Sequence, residues 1–165
     1  MNLTAFVAKW SQATLTERSA AQQHFLDLCD VLGVPKPAQA DPTGERYAFE
    51  KGVTKTGGGK GFADVWLRAH FAWEYKGKKK NLTDAYAQLL QYAEALENPP
   101  LLVVCDLNRF EVHTRFTGLV KTVYAFDLSA LGANVPTPTC ALPPLDVLRA
   151  LFDQPECSTA RPCAS

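Results

Sequence analysis

The sequence predicts an α/β fold of the α+β sandwich type, in which a central mixed β-sheet is flanked by helices. Apolar residues recur at helical spacing before residue 33 and again over 82–96. Short apolar and β-branched runs of strand length lie between these segments and after the second one. The run that begins at Leu101 is continuously apolar, which is typical of a strand buried on both faces.

The length and composition are those of one soluble domain. The chain has 165 residues, 47% of them apolar and 21% charged, and is long enough for a sizeable core. It has no apolar run that could span a bilayer and no signal peptide at its start, so we expect a cytoplasmic protein without a membrane partner. Its 5 cysteines form no C-x-x-C pair, which predicts reduced thiols and argues against structural zinc.

Residues 2–32 are predicted to form two helices, the second ended by Gly33. Glu17 falls in the first turn of that second helix, where an acid complements the helix dipole. It could instead add a third carboxylate to a metal site. His24 is expected at the surface or at an interface.

The remainder alternates strands with two further helices. A Pro-rich polar connection is predicted over 34–46, and residues 157–165 are expected to be a disordered tail or a truncation point. The predicted helices cover 82–96 and 145–152. The predicted strands cover 47–53, 62–67, 71–76, 101–106, 110–116 and 123–128.

Three charged residues lie within or beside two of these apolar runs: Asp64, Glu74 and Lys76. Side chains two apart on a strand point to the same face, so Glu74 and Lys76 should project together. A hairpin turning near 68–70 would bring Asp64 alongside them. Two carboxylates and an ammonium would then converge on one part of the sheet.

This grouping favours a magnesium-dependent phosphodiesterase. Neighbouring carboxylates repel unless a cation lies between them, and hard oxygen ligands suit Mg²⁺, which also binds waters and phosphate. The alternative is a salt-bridged hairpin edge in which Lys76 simply pairs with Asp64 or Glu74. Charges inside apolar strands are costly, which raises the functional interpretation above that background.

Basic residues surround the same stretch. Residues 51–80 contain 8 basic and 2 acidic residues, a local charge of +6 in a chain of net charge zero. Such a surface would attract a polyanion such as nucleic acid. The candidates for binding it are Lys55, Lys60, Lys78, Lys79 and Lys80. The alternative for the run of three lysines is a solvated loop. Gly57–Gly59 would allow close backbone approach to a phosphate chain, or be a flexible turn.

Gln88 and Tyr92 lie one turn apart on the predicted helix over 82–96. If their face looks toward the hairpin, Gln88 could bond a metal-bound water or a phosphate. The alternative is that Gln88 is an ordinary helix residue.

The pattern A-D-x(9)-E-Y-K, formed by Asp64, Glu74 and Lys76, resembles the catalytic signature of the PD-(D/E)XK nuclease superfamily. The flanks GGGKGFADVW, FAWEYKGKKKNL and HFLDLCDVLGVP narrow the likeness. They resemble the N-terminal cleavage domain of MmeI-like type IIL restriction–modification enzymes, over about residues 3–156. Ala63 stands where the superfamily signature has proline.

The resemblance implies a restriction-endonuclease-like PD-(D/E)XK core over residues 1–156. Asp64 and Glu74 would bind Mg²⁺, with Mn²⁺ as a substitute, and Lys76 would assist the attacking water. Glu17 would be an auxiliary acid, and Gln88 with Tyr92 would match a Q-x-x-x-Y pattern of some branches.

The implied function is a Mg²⁺-dependent endonuclease acting on double-stranded DNA. Its methyltransferase and target-recognition domains would lie outside this chain or on a partner subunit, so cutting by the chain alone would be weak or non-specific. Cutting both strands suggests a transient dimer on DNA. The alternatives are a non-catalytic DNA-binding or assembly module of the same fold, or a nuclease for RNA or single strands.

Overall fold

The computed structural model describes residues 1–13, 18–54, 57–77 and 81–153. Several predicted features lie outside the described residues, namely Glu17, Lys55, Lys78, Lys79, Lys80 and the segment 157–165. In chain order the elements are α1 (Leu3–Ser11), α2 (Arg18–Leu32), α3 (Pro37–Ala40), β1 (Tyr47–Thr54), β2 (Lys60–Leu67), β3 (Phe71–Tyr75), α4 (Leu82–Tyr92), β4 (Leu101–Cys105), β5 (Arg109–Thr114), β6 (Val123–Asp127), α5 (Leu128–Ala133) and α6 (Pro144–Ala150).

The described strands form one mixed sheet in the order β1-β2-β3-β4-β5-β6. β3 and β4 are parallel, and every other neighbouring pair is antiparallel. Parallel neighbours need a crossover, which α4 supplies between β3 and β4. β2 and β3 form the expected hairpin, with the turn at 68–70.

Helices cover both faces of the sheet, which confirms the predicted sandwich. On one face, Leu82, Ala85 and Leu89 of α4 pack against the sheet in a core that includes Trp66 and Leu102. The core on the other face joins α1, α2, α5 and α6 to the sheet, with Trp73 among its buried members. β4 is buried along its whole length, as its apolar run predicts.

The structure corrects several predictions. The Pro-rich connection contains α3, because Pro37 is buried and occupies the first turn, where proline suits a helix. The strand predicted to reach Leu128 ends at Asp127, whose side chain accepts a hydrogen bond from Ala130 N and begins α5. His24, expected at the surface or at an interface, is fully buried because α2 packs on the sheet and His24 finds a polar partner there.

The cysteines agree with one expectation of the composition. Cys29, Cys105 and Cys140, the cysteines in the described part, are buried free thiols. In the part of the chain that the structure describes, no helix has the length and apolarity that crossing a membrane requires.

Candidate functional site

Asp64 and Glu74 lie on neighbouring strands, and both come to the same end of the hairpin. The β2–β3 ladder pairs Val65 with Trp73, so the next residue outward on each strand is Asp64 and Glu74. The backbone N–H of Tyr75 donates to Asp64 Oδ2 at 2.7 Å. The predicted convergence of these two carboxylates is therefore present, and a backbone donor fixes one of them.

β2 is distorted at Asp64. Ala63 packs in the core under α4, whereas Val65 packs in the opposite core, although residues two apart on a regular strand share a face. Across the strand pair, Glu50 has a φ of +52°, in the left-handed region. Such local distortions redirect side chains and are frequent beside functional sites.

Glu74 is a buried carboxyl group with an unusual environment. It is only 5% exposed, and its Oε2 has no hydrogen-bond partner among the described residues. Burial raises the pKa of Glu74 to about 10, helped by a hydrogen bond to Asp64 and by the charge of Asp64, against the opposing charge of Lys76. Without a cation, Glu74 therefore carries a proton at neutral pH.

Lys76 follows Glu74 by two residues and reaches α4. Its Nζ donates to Gln88 Oε1 at 2.8 Å, and Gln88 Nε2 donates to Tyr92 OH at 2.7 Å. Within the described residues, Lys76 makes no ion pair with Asp64 or Glu74. The arrangement thus differs from a salt-bridged hairpin edge, because a neutral amide holds the ammonium beside the carboxylates.

Tyr92 is in turn held against the start of β2. It is 2% exposed, and a Cβ placed on Gly61 would lie 2.5 Å from the Tyr92 hydroxyl oxygen. Only glycine lets the ring approach the strand this closely. The Gln88 face of α4 therefore looks toward the hairpin, where Gln88 bonds Lys76 and Tyr92.

The structure places two further polar residues beside Asp64 that the sequence reasoning missed. Gln22 of α2 and Glu50 of β1 line a cavity of about 10 Å³ with Asp64 and Tyr75. That volume is close to the space that one water molecule needs. No local sequence signal identifies either residue, because their proximity depends on how α2 packs and on the β1–β2 register.

Two lysines of the predicted site, Lys60 and Lys76, line open clefts. Lys60, exposed at the start of β2, lies on a cleft of about 460 Å³ that also includes Thr54 and Gly61. Lys76 lies on another, of about 330 Å³, with Asn81 at the beginning of α4.

Lys60 is the one lysine predicted to bind nucleic acid that the structure describes, and that role stays a prediction. The other lysines predicted to do so lie outside the described residues: Lys55, Lys78, Lys79 and Lys80. Glu17, predicted as an auxiliary acid, lies outside them as well.

The donor set suits one kind of metal. The described residues contain no group of three or more His, Cys, Asp or Glu side chains arranged to hold an ion. A pair of neighbouring carboxylates fits Mg²⁺ or Mn²⁺, which complete their shells with water and phosphate oxygens. It does not fit a closed tetrahedral zinc site.

Comparison with protein families gives one match. The family described as "MmeI, N-terminal domain" matches residues 1–155, nearly the whole chain. No match was found among curated proteins or among solved structures.

Proposed function

Because this chain belongs to the family of MmeI N-terminal domains, we propose that it is the endonuclease module of a type IIL restriction–modification system. It hydrolyses phosphodiester bonds of DNA with Mg²⁺, through a PD-(D/E)XK site formed by Asp64, Glu74 and Lys76. One observation supports this most directly: a carboxyl group 5% exposed lies beside a second carboxylate, with an oxygen that no described residue satisfies.

The free-energy cost of burying this carboxyl group favours a bound cation at the site. A buried polar atom without a partner costs roughly 1–3 kcal/mol, and a buried unpaired charge costs more. A fold does not gain stability from such a group, so its presence favours a ligand that compensates it. Asp64 and Glu74 would hold Mg²⁺, which supplies Lewis-acid stabilisation of charge at the scissile phosphate.

Each remaining residue has a role that follows from its contacts. The Tyr75 N–H fixes Asp64 Oδ2, so that Oδ1 can turn toward the cation. Gln88 holds the Lys76 ammonium at one position, from which it donates a hydrogen bond to the attacking water or to a phosphate oxygen. Lys60, on the open cleft at the start of β2, contacts the DNA backbone. Sequence selectivity and methylation belong to other domains or subunits.

The decisive experiment measures metal binding and cleavage together. Calorimetry with Mg²⁺ and Mn²⁺ compares the wild type with Asp64→Asn, with and without a short duplex, and nicking of a supercoiled plasmid is followed in parallel. Glu97→Gln is the matched control, because Glu97 is an exposed acid paired with Arg68 away from the site. We expect binding and nicking in the wild type and the control, and neither in Asp64→Asn.

Proton release gives a second readout. Because burial and the neighbouring Asp64 raise the pKa of Glu74, binding of Mg²⁺ should release a proton near neutral pH. The apparent binding enthalpy should then vary with the ionisation enthalpy of the buffer. Absence of metal binding even with duplex present would favour the non-catalytic module, and cleavage confined to RNA or single strands would favour that alternative substrate.

A further inference from the structure

A buried polar pair connects α2 to the end of β3, directly behind the carboxylates. His24 is 0% exposed, and its Nδ1 lies 2.8 Å from the hydroxyl oxygen of Tyr75. The rings of Phe6, Trp10 and Phe110 surround the imidazole, with centroids between 5.0 and 5.6 Å away. In this apolar setting the bond satisfies His24 Nδ1 and the Tyr75 hydroxyl.

The proposed chemistry does not use His24 directly, because it lies inside the core. Burial lowers the pKa of His24 to about 3, so the imidazole is neutral at working pH. Tyr75 is likewise buried, and burial raises its pKa well above the usual value of 10.0. The pair is therefore an uncharged hydrogen bond of fixed geometry, a structural contact without proton transfer.

Its importance lies in the backbone of Tyr75. Tyr75 is the last residue of β3, between Glu74 and Lys76, and its N–H donates to Asp64 Oδ2. The β2–β3 ladder ends at the pair of Val65 and Trp73. Beyond that pair, the Tyr75 N–H donates to the side-chain carboxylate of Asp64. The orientation of Asp64 consequently depends on how firmly the end of β3 is held.

The Tyr75 ring anchors this end of β3 on the side of the sheet opposite α4, in addition to the backbone pairing of Tyr75 with Cys105 of β4. It stacks on Trp73 with centroids 5.5 Å apart and an interplanar angle of 27°, and its hydroxyl contacts His24. One turn before His24, Ala21 and Gln22 line the small cavity shared with Asp64. The same hydrogen bond is thus one of the contacts that hold α2 beside the carboxylate.

We propose that His24 and Tyr75 are positioning residues that act through this buried hydrogen bond to hold the Asp64 carboxylate in its metal-binding orientation. This inference rests on the proposed function only where it predicts an effect of the His24–Tyr75 bond on DNA cleavage. A shift of the order of 1 Å in a reacting or ligating group costs about a hundredfold in rate, so even a partial displacement is measurable.

The test compares Tyr75→Phe with Tyr47→Phe. Tyr47 is equally suited to removal of a hydroxyl, since it is 4% exposed in the same core and its hydroxyl donates to Pro35 O at a different end of the sheet. We expect Tyr75→Phe to lower kcat about tenfold and to raise the Mg²⁺ concentration for half-maximal nicking, with KM for DNA within about twofold. Tyr47→Phe should lose comparable stability and retain kcat.

A second comparison substitutes His24, the other partner in the hydrogen bond. His24→Leu should match Tyr75→Phe, and the double variant should be no worse than either, because both act through one bond. His24→Asn returns a hydrogen-bonding atom near the position of Nδ1 and should recover part of kcat. Equal loss in Tyr47→Phe, unchanged kcat in Tyr75→Phe, or additive losses in the double variant would each overturn the proposal.

Amide hydrogen exchange separates this proposal from the proposed function. The amide at position 75 donates to a carboxylate in the wild type, so its exchange should accelerate about tenfold or more in Tyr75→Phe and His24→Leu, and remain unchanged in Tyr47→Phe. This readout needs neither metal nor DNA. If the wild type fails to cut DNA while exchange changes as expected, the endonuclease assignment fails and the positioning role stands. Unchanged exchange contradicts the positioning role, whatever the nicking assay gives.

Discussion

Gly61→Ala tests the contact that holds the Gln88 face of α4 against the hairpin. A Cβ at this position would lie 2.5, 2.7 and 2.8 Å from the Oη, Cζ and Cε1 atoms of Tyr92. Real Cβ atoms do not approach other atoms so closely, so the ring must move. Tyr92 is 2% exposed and packed in the core under α4, which leaves it little room to do so.

The expected cost follows from two contributions. Overpacking in a well-packed core costs about 1–3 kcal/mol, and losing the bond from Gln88 to the Tyr92 hydroxyl adds about 1 kcal/mol. We therefore expect Gly61→Ala to lower the free energy of unfolding by roughly 2–4 kcal/mol. Because Gln88 also holds Lys76, nicking activity should fall more than the folded fraction does.

Gly52→Ala is the matched control on the adjacent strand. Gly52 pairs with Phe62, a Cβ added to it would meet no atom within 4 Å, and its φ is not positive. Its substitution should change stability by less than about 1 kcal/mol, in the favourable direction. Urea unfolding measures the stability of the two variants, and plasmid nicking measures their activity. A Gly61→Ala protein as stable and active as Gly52→Ala would show that the contact between Gly61 and Tyr92 does not hold α4 against the hairpin.

Three further predictions concern Glu74, Gln88 and Lys60. Glu74→Gln should raise the stability of the metal-free protein, because a carboxyl whose pKa is raised from 4.5 to about 10 destabilises the fold increasingly as pH rises between those values. In thermal unfolding from pH 5 to 9, the stability of the variant relative to the wild type should therefore grow with pH. Mg²⁺ should stabilise the wild type alone. Gln88→Met should change the free energy of unfolding by no more than about 1 kcal/mol but lower kcat about tenfold, because the Lys76 ammonium loses its acceptor. An unchanged kcat in single-turnover nicking would contradict the role of Gln88 in holding Lys76. Lys60→Ala should weaken duplex binding and reduce the slope of log K against log salt by about one in fluorescence anisotropy titrations. Lys121 is an exposed lysine before β6, and Lys121→Ala should leave that slope unchanged.

Local sequence patterns determined most of the strands and the hairpin. The runs that became β2 and β3 are apolar and bounded by glycine and by a short polar turn, so their pairing follows from nearest-neighbour geometry. That pairing alone brings Asp64 level with Glu74, and the two-residue period places Lys76 on the face of Glu74. The carboxylate pair was predictable for this reason.

Helix boundaries beyond these runs were less predictable. α3 and α5 are short, and each depends on one local feature, a proline in the first turn or an aspartate that caps the first turn. Segments of this length carry too few apolar residues for a periodic pattern to emerge. Their sequences are equally compatible with turns until packing against the sheet selects the helix.

The contacts that refine the site were decided by tertiary structure. Gln22 and His24 are far from the hairpin in sequence, and nothing near them indicates that α2 packs beside Asp64 and Tyr75. The close approach of Tyr92 to Gly61 likewise depends on where α4 crosses the sheet. A sequence records which residues can share a strand or a helix face, because that depends on backbone period. Which faces meet depends on how all the apolar surfaces are buried together, and that is a property of the whole fold.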